Sequence, residues 1–266
     1  MSAELIFEHP RAQVWCGSWQ DLELPPGSVD KVLTDPPYTA HVQSNVRSCS
    51  TNGALKVQTY DLNFDPLSSY EHVPQLLDLA TGWVVLFCAL EQFGDYERAA
   101  GGPRKKLEGE NAKDFRARRA AYVRSGIWRK QQAAPQLSGD RPANSCEGWA
   151  VMHPKGGKLA WNGHGKHAYL SSDTDDEDAS FFCVPDFVQE GREAARKRHP
   201  AQKPAALCDK LAEWFINPGD VVLDAYCGSG ALGLAALGRG ATVIFVDIDP
   251  EWAIHTAERV ELVLAP

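Results

Sequence analysis

The sequence predicts an α/β fold, a doubly wound and mostly parallel sheet with helices on both faces. Over the last third of the chain, short apolar runs alternate with amphipathic segments, which is typical of parallel β-α-β units. A glycine-rich loop follows one of these runs, as it does in nucleotide-binding sheets. With 266 residues, the chain is long enough to bury one large core and to carry a small insert.

The composition excludes several classes of protein. It has 44% hydrophobic and 23% charged residues, and its longest apolar run, WVVLFCAL, is too short to cross a bilayer. The seven cysteines are scattered and form no CxxC pair, so we predict neither a metal site nor a disulfide framework. Reduced cysteines and the absence of a secretory signal in MSAELIFEHP lead us to expect a cytoplasmic protein.

Apolar spacing predicts the elements of the first half. Strands are predicted at AQVWC (12–16), DKVLT (30–34), GWVVLFCAL (82–90), AYVRSGIWRK (121–130) and EGWAVMHP (147–154). Residues 70–80 have the spacing of a helix, and the polar residues 39–69 are predicted to form a loop. Glycines and charges at 101–114 indicate a break between elements.

The second half contains clearer start and stop signals. Its predicted elements are a helix over 203–216, a strand over 221–227, a glycine loop opening a helix over 228–240, a strand over 241–249 and a helix over 250–264. Pro204 and Pro250 lie near the first turns of their helices, where proline is tolerated. Residues 154–198 show no clear period and are interpreted as a small accessory region.

Charge is unevenly distributed along the chain. The formal net charge is −8, yet residues 98–130 contain eleven Lys and Arg residues against three acids. A second basic cluster at 192–198 precedes His199. An acidic protein with a basic middle suits an enzyme that contacts a polyanion on one side only. For 101–114, a solvated surface segment is the simpler alternative.

The glycine loop predicts a nucleoside-like ligand. GSGALG (228–233) follows a strand and opens a helix, and Asp247 ends the next strand. Glycines let the backbone approach a ligand, and an acid at that strand end accepts hydrogen bonds from ribose hydroxyls, so NAD is the first candidate. However, Asp224 precedes the loop, and its carboxylate would repel a pyrophosphate but accept from an ammonium. S-adenosylmethionine, with an ammonium, a ribose and no phosphate, fits both acids better.

The stretch VLTDPPY (32–38) ends a predicted strand in an acid, two prolines and a tyrosine. Two adjacent prolines fix two φ angles and remove two backbone donors, so the strand must stop there. The result is a rigid corner between a carboxylate and an aromatic ring. Such a corner suits the binding of a flat group, although a plain turn would have the same sequence.

Four motifs together resemble those of the amino-methyltransferases of DNA: DPPY (35–38), HPAQKP (199–204), DAYCGSG (224–230) and VDID (246–249). Their order, with DPPY first and the glycine loop near the C-terminus, resembles the circularly permuted beta class. GIWRK and CEGWAVMH are similar to further segments of that family.

The resemblance extends over residues 12–100 and 120–260. It implies a seven-stranded, Rossmann-like methyltransferase sheet that both ends of the chain complete. It also implies a catalytic half (1–153) with a basic, flexible insert at about 101–119, a small target-recognition region (154–198) and a cofactor-binding half (199–266) of the same domain.

The implied catalytic residues are Asp35, Pro36, Pro37 and Tyr38. Asp35 and the Pro36 carbonyl would accept hydrogen bonds from an exocyclic amine, and Tyr38 would stack on a base flipped out of the duplex. The implied cofactor residues are Lys203, Asp224, Tyr226, Gly228, Ser229, Gly230, Asp247 and Ile248. In this set Lys203 would bind the carboxylate of S-adenosylmethionine and Asp247 its ribose.

Double-stranded DNA is the implied partner; a homodimer is left open and no membrane is expected. The predicted DNA contacts are Arg116, Arg118, Arg119, Lys130, Arg196, Lys197 and Arg198. The accessory region is small and can present few base contacts, so we predict a short or relaxed target sequence. One departure from the family pattern is Ser18, which stands where relatives have an acid that reaches the adenine of the cofactor; Asp21 is displaced from that position.

The sequence thus predicts transfer of a methyl group from S-adenosylmethionine to the N6 amine of adenine, since DPPY is commoner among adenine enzymes. Cytosine N4 stays open as the alternative, and no residue excludes RNA. An NAD-dependent oxidoreductase would explain the glycine loop but leave DPPY and HPAQKP without a role. A DNA-binding protein without catalysis is a third reading.

Overall fold

A computed structural model describes residues 2–40, 47–50, 56–59, 65–117, 121–130, 142, 144–154, 159–171, 180–181 and 202–265. Its strands are β1 (Glu4–His9), β2 (Ala12–Cys16), β3 (Lys31–Thr34), β4 (Arg47–Ser50), β5 (Lys56–Thr59), β6 (Val84–Cys88), β7 (Tyr122–Arg129), β8 (Cys146–Met152), β9 (Tyr169–Ser171), β10 (Ser180–Phe181), β11 (Val221–Asp224) and β12 (Thr242–Asp247). Its α-helices are α1 (His72–Leu79), α2 (Phe93–Ala99), α3 (Ala112–Ala117), α4 (Ala205–Phe215), α5 (Ala231–Gly238) and α6 (Pro250–Leu264). Among these residues, no helix has the length and apolar content that crossing a membrane requires.

The main sheet has the strand order β1-β2-β12-β11-β3-β6-β8-β7-β9-β10. Its pairings are parallel except at β1·β2, β6·β8 and β7·β8, as predicted for a mostly parallel sheet. The late strands β11 and β12 lie between the early strands β2 and β3, and β12 pairs with β2 from Val243↔Ala12 to Asp247↔Cys16. The expected permutation is therefore confirmed, because both ends of the chain complete one sheet.

The sheet is wider than the seven strands predicted. The central strands from β2 to β7 account for those seven, while β1 extends one edge and β9 with β10 extends the other. Residues 154–198 thus contribute two short strands to the sheet, although the sequence showed no period there. The loop prediction for 39–69 is wrong where β4 and β5 form an antiparallel pair, and the predicted break at 101–114 contains the start of α3.

Two apolar layers cover the sheet. Helices α4, α5 and α6 pack on one face, around buried residues such as Trp149, Trp214 and Phe245. Helices α1 and α2 pack on the other face, where Leu76 and Tyr96 are buried. The strand β6 is buried along its whole length, and its side chains pack alternately into the two layers, as its continuous apolar run predicted.

The strand order brings the ends of several strands to one edge of the sheet. Strands β3, β6, β11 and β12 are parallel, so their carboxyl ends lie together. Because β8 is antiparallel to β6, with Cys88 paired to Gly148, the beginning of β8 reaches the same edge. The end of β7 also lies there, since Arg129 pairs with Cys146. This edge positions the residues described below.

The third glycine of the glycine loop gives a test of this packing. A Cβ on Gly233, in α5, would lie 2.2 Å from the Phe245 ring on β12, so Gly233→Ala is expected to lower the free energy of unfolding by about 1–3 kcal/mol. Gly238→Ala in the same helix meets no atom within 4 Å and is the matched control. Urea denaturation of both variants measures the difference, and equal stabilities would contradict this packing.

Candidate active site

The DPPY corner lies beside the glycine loop because a buried threonine joins them. The Thr34 hydroxyl donates to Asp224 Oδ1 at 2.7 Å and accepts from the Tyr226 backbone N–H at 2.9 Å. Thr34 ends β3 immediately before Asp35, and Asp224 ends β11 immediately before the loop. The catalytic and cofactor motifs predicted from the sequence are therefore neighbours at one edge of the sheet.

The two oxygens of Asp35 have different environments. Oδ2 forms an ion pair with the Lys203 ammonium, whereas Oδ1 is buried and has no hydrogen-bond partner among the described residues. The Asp35 side chain is 19% exposed and that of Lys203 only 6%. Pro36, which follows Asp35, is buried and has no N–H to donate. A buried carboxylate oxygen without a donor is uncommon in folded proteins, and an unmet acceptor of this kind is one of the features found at catalytic sites.

A second carboxylate, Glu147 on β8, lies in the same place. Its Oε2 is 3.2 Å from Lys203 Nζ and accepts from the Tyr38 hydroxyl at 3.2 Å. Its Oε1 forms an ion pair with Lys130, which follows β7. We call Asp35, Glu147, Lys203 and Lys130 the acid–lysine cluster; it contains two carboxylates and two ammonium groups, so its formal charges cancel.

Aromatic rings enclose the ammonium of Lys203. Nζ lies 4.9 Å from the centroid of Phe87 on β6 and 5.5 Å from that of Tyr38. Ring faces attract cations at such distances. The position of Lys203, just before α4, would be unfavourable for a cation at a helix N-terminus, but two carboxylates face it there.

Burial and charge act against each other in this cluster. Burial raises the pKa of Asp35; the Lys203 ammonium opposes that rise, and the Glu147 carboxylate adds to it. Burial would also raise the pKa of Glu147, but Lys203 and Lys130 lower it to about 2. Burial lowers the pKa of Lys203, yet the two carboxylates hold it above its usual value. The ammonium of Lys203 thus favours the ionised form of both neighbouring carboxylates, and Lys130 adds to this effect at Glu147.

The glycine loop is fixed by its surroundings. Gly228 and Gly230 have φ values of +50° and +78°, which favour glycine, and a Cβ on Gly230 would lie 2.8 Å from Thr256 Cγ2. The Gly228 N–H donates to Asp247 Oδ2 at 2.7 Å, and its carbonyl accepts from the Thr256 hydroxyl at 2.8 Å. The carbonyl of Ser229 accepts from Arg259. Contacts within the fold therefore hold the shape of the loop.

The two acids of the cofactor motif differ in access. Asp224 is buried; its Oδ2 accepts from the Gly233 N–H at 3.0 Å, and burial raises its pKa to about 7. Asp247 also accepts from the Asp249 N–H, at 2.9 Å, but lies at the rim of the edge, next to Ile248, which is 73% exposed. Asp247 is therefore partly accessible to a ligand and Ile248 is exposed, whereas Asp224 is only 1% exposed; the oxygens of both acids already accept hydrogen bonds within the fold.

The remaining predicted residues have mixed positions. Tyr226 lies edge-on to the His72 ring, at 6.3 Å between centroids. Ser18 caps the short 3₁₀ turn Trp19–Leu22, where its hydroxyl accepts from the Gln20 N–H, and Asp21 is exposed. Lys203, expected on the cofactor's carboxylate, lies on Asp35 and Glu147; its cofactor role stays a prediction.

Of the predicted DNA contacts, the structure places the side chain of Lys130 alone, on Glu147 and 5.6 Å from the Trp128 ring centroid. The backbone of Arg116 belongs to α3. The other predicted contacts lie outside the described residues: Arg118, Arg119, Arg196, Lys197 and Arg198. Their roles stay predictions.

Sequence reasoning did not assign Glu147 a role in the site. The available signal was an acid at the start of the otherwise apolar strand EGWAVM, in a segment that already resembled the family. An ionised residue at the start of a buried strand needs a partner, but the sequence alone does not identify Lys203 as that partner.

Known proteins resemble this chain in both sequence and fold. The family N6_N4_Mtase, described as DNA methylase, matches residues 112–258, which is more than half of the chain. The type II methyltransferase M.HpaI of Haemophilus parainfluenzae is 38% identical over 66 residues, 25% of this chain and 21% of that protein. The DNA adenine methyltransferase YhdJ of Escherichia coli (strain K12) is 39% identical over 56 residues, 21% of this chain and 19% of that protein. The matched regions thus span about a fifth of these curated relatives.

Solved structures extend the likeness of the fold to nearly the whole chain. The PvuII DNA methyltransferase, which is cytosine-N4-specific, has a TM-score of 0.57 at 16% identity and covers 94% of this chain and 86% of its own. The M1.HpyAVI–SAM complex has a TM-score of 0.52 at 21% identity and covers 91% and 92%. Both solved structures have the fold predicted here. The family match over residues 112–258 includes the DAYCGSG and VDID motifs and Glu147. This chain belongs to the N6/N4 DNA methylase family.

Proposed function

We propose that this protein transfers a methyl group from S-adenosylmethionine to the exocyclic N6 amine of a flipped adenine in double-stranded DNA. The observation that carries the proposal is the buried Asp35 Oδ1, which has no partner among the described residues and lies in a corner that lacks proline N–H groups. An amino group donates two hydrogen bonds, and this corner offers acceptors. The corner also adjoins the glycine loop through Thr34.

The corner suits what an exocyclic amine requires. The lone pair of such an amine is delocalised into the base, so the nitrogen is a poor nucleophile. Hydrogen bonds from its two N–H groups to Asp35 Oδ1 and the Pro36 carbonyl would favour a tetrahedral nitrogen. Tyr38 would stack on the base, an interaction that contributes about 1–3 kcal/mol. Flipping is required because a duplex hides the direction of attack on the amine.

Methyl transfer to the amine would form one N–C bond and break one C–S bond. The nitrogen lone pair forms the new N–C bond, and the electron pair of the broken C–S bond stays on sulfur. The extra proton on nitrogen leaves along its hydrogen bond to Asp35 Oδ1 and passes to solvent. Bound S-adenosylmethionine supplies a methyl group activated by a positive sulfur, so the chain's main task is alignment, which can lower a barrier by about 7–11 kcal/mol.

The residues at the edge fit this cofactor. Each oxygen of Asp247 accepts one backbone N–H and, with two acceptor sites per oxygen, can also accept a ribose hydroxyl. The exposed Ile248 beside it offers an apolar surface to an adenine ring. Gly228 and Gly230 place no side chain at two positions of the loop, so the backbone there can approach a ligand closely. Family membership and this donor set together favour S-adenosylmethionine over NAD.

DNA as the substrate is supported by the family description and by the basic character of residues 98–130 in an acidic chain. Adenine is favoured by the DPPY sequence, while cytosine N4 is the alternative outcome. The two bases present similar amino groups, and the corner described above would accept either.

Product analysis tests the proposal. The purified protein is incubated with tritiated S-adenosylmethionine and unmethylated double-stranded DNA, and the DNA is digested to nucleosides. We expect the label in N6-methyladenine. Label in N4-methylcytosine alone would overturn the choice of base, and labelled RNA with unlabelled DNA would overturn the choice of substrate. No transfer to any nucleic acid, from protein that binds the cofactor, would overturn the activity.

A further inference from the structure

We infer that Lys203 and Glu147 are positioning residues for Asp35: Lys203 holds one carboxylate oxygen so that the other faces the substrate amine, and Glu147 holds Lys203 and Tyr38 in place. This inference rests on the proposed function. It gives Lys203 a partner other than the carboxylate of the cofactor. It also gives Glu147 a role in the reaction without contact to the reacting atoms.

The two carboxylate oxygens of Asp35 are held differently. A free carboxylate can rotate and present either oxygen, but here the ion pair of Oδ2 with Lys203 fixes the plane of the group. Oδ1 then points into the buried corner without a partner among the described residues. Lys203 is 6% exposed and borders the rings of Phe87 and Tyr38, so its ammonium has little room to move.

Glu147 lies at the centre of the acid–lysine cluster. Its Oε2 contacts both Lys203 Nζ and the Tyr38 hydroxyl at 3.2 Å, and its Oε1 pairs with Lys130. One carboxylate therefore holds the cation that orients Asp35 and the ring that would stack on the base. Loss of Glu147 would loosen both groups while leaving the Asp35–Lys203 contact possible.

The charged groups around Asp35 set how easily it ionises. Several titratable groups from neighbouring elements face Asp35: Lys203 before α4, Glu147 on β8, Tyr38 in the corner, Cys88 on β6 and Asp224 on β11. Among them, Lys203 and the Tyr38 hydroxyl lower the pKa of Asp35, whereas Glu147 raises it. Removing Lys203 or Glu147 must therefore change the ionisation of Asp35 in opposite directions, which a merely structural role would not do.

The experiment compares Lys203→Met with Glu147→Gln through the pH dependence of kcat/KM for methylation of unmethylated DNA. In Lys203→Met, Asp35 gains a proton more easily, so the acid limb moves to higher pH and the rate near neutrality falls by about 100-fold. In Glu147→Gln, the acid limb moves to lower pH. The double variant is expected to lie between the single variants. Limbs that stay in place, or that move in the same direction, would overturn the inference.

A matched pair on α4 provides the control. Lys210 and Glu213 form a partly buried ion pair at 2.8 Å, and Lys210→Met and Glu213→Gln make the same chemical changes there as the two variants make in the cluster. Both are expected to keep the pH profile of the unchanged protein. Lys203→Arg keeps the positive charge and is expected to retain the position of the acid limb.

A second readout needs neither cofactor nor DNA. Without Lys203, the largely buried Asp35 carboxylate faces Glu147 and loses its paired cation, so its pKa in the folded state rises further above that in the unfolded chain. A carboxyl group with a raised folded-state pKa stabilises the fold while it is protonated, and this stability is lost as pH rises through the folded pKa. The loss of thermal stability in Lys203→Met should therefore be larger near pH 8 than near pH 5.5. Lys210→Met should run parallel to the unchanged protein.

The two readouts separate the possible failures. If the unchanged protein does not methylate DNA but Lys203→Met shows the pH-dependent loss of stability, the proposed function fails and the electrostatics of the cluster are upheld. If it methylates DNA but the acid limbs do not move apart, the positioning roles fail alone. If Lys203→Met does not fold, the direction of the limb in Glu147→Gln decides the inference.

Discussion

Replacing Asp35 by asparagine is expected to lower the rate of methyl transfer by about 10³-fold, within the range typical for loss of a catalytic acid or base. Asparagine keeps the shape of the side chain but removes its charge, and its NH₂ group opposes the amine where Oδ1 accepts. The expected effect is confined to catalysis, because Glu147 stays beside Lys203 and keeps that buried cation paired. Single-turnover transfer of a tritiated methyl group to DNA measures it.

The matching control is Asp21→Asn, an exposed acid in the 3₁₀ turn beside the cofactor side of the edge. Its transfer rate is expected to stay within about 2-fold of the unchanged protein, as is usual for surface substitutions. Calorimetry should also show that Asp35→Asn binds S-adenosylmethionine with the affinity of the unchanged protein. A wild-type rate in Asp35→Asn would show that the corner does not act on the amine.

Replacing Asp247 by asparagine is expected to weaken the binding of S-adenosylmethionine by about 10- to 100-fold, the loss of one hydrogen bond to a charged group. Asp247 accepts from the N–H groups of Gly228 and Asp249 with separate oxygens, and an amide can accept with only one. The variant therefore loses a support of the glycine loop and the charge available to ribose hydroxyls.

Asp249→Asn is the control for that change. Asp249 caps α6 by accepting from the Glu251 N–H at 2.8 Å, and asparagine caps helices equally well. Titration calorimetry is expected to give this variant an affinity close to that of the unchanged protein. Equal affinities for Asp247→Asn and Asp249→Asn would place the cofactor elsewhere.

Elements with strong local patterns could be predicted from the sequence. The buried run VVLFC becomes β6, and the pattern after Asp249 gives α6 with the predicted bounds, because its proline and capping acid lie at the start. The short strands β9, of three residues, and β10, of two, could not be predicted in this way. Such short strands exist only because a neighbouring strand in the sheet supplies their hydrogen bonds.

The candidate site shows the same division. DPPY and the glycine loop are continuous in sequence, so each predicted its own local shape, and the order of strands brings them together. The contact between Asp35 and Lys203 joins residues 168 positions apart, and Glu147 reaches them from a strand that runs in the opposite direction. The partner of a buried charge depends on that tertiary arrangement, so the sequence indicated Lys203 but gave it a different partner.

The most direct test of the account is a crystal structure of this protein with a methylatable DNA duplex and a cofactor analogue that cannot transfer a methyl group. We expect a flipped base whose exocyclic nitrogen lies about 2.7–3.2 Å from Asp35 Oδ1, with the Tyr38 ring against the base. The methyl donor position should lie on the opposite side of that nitrogen, at the glycine loop. An exocyclic nitrogen bound away from Asp35, with the analogue in place, would contradict it.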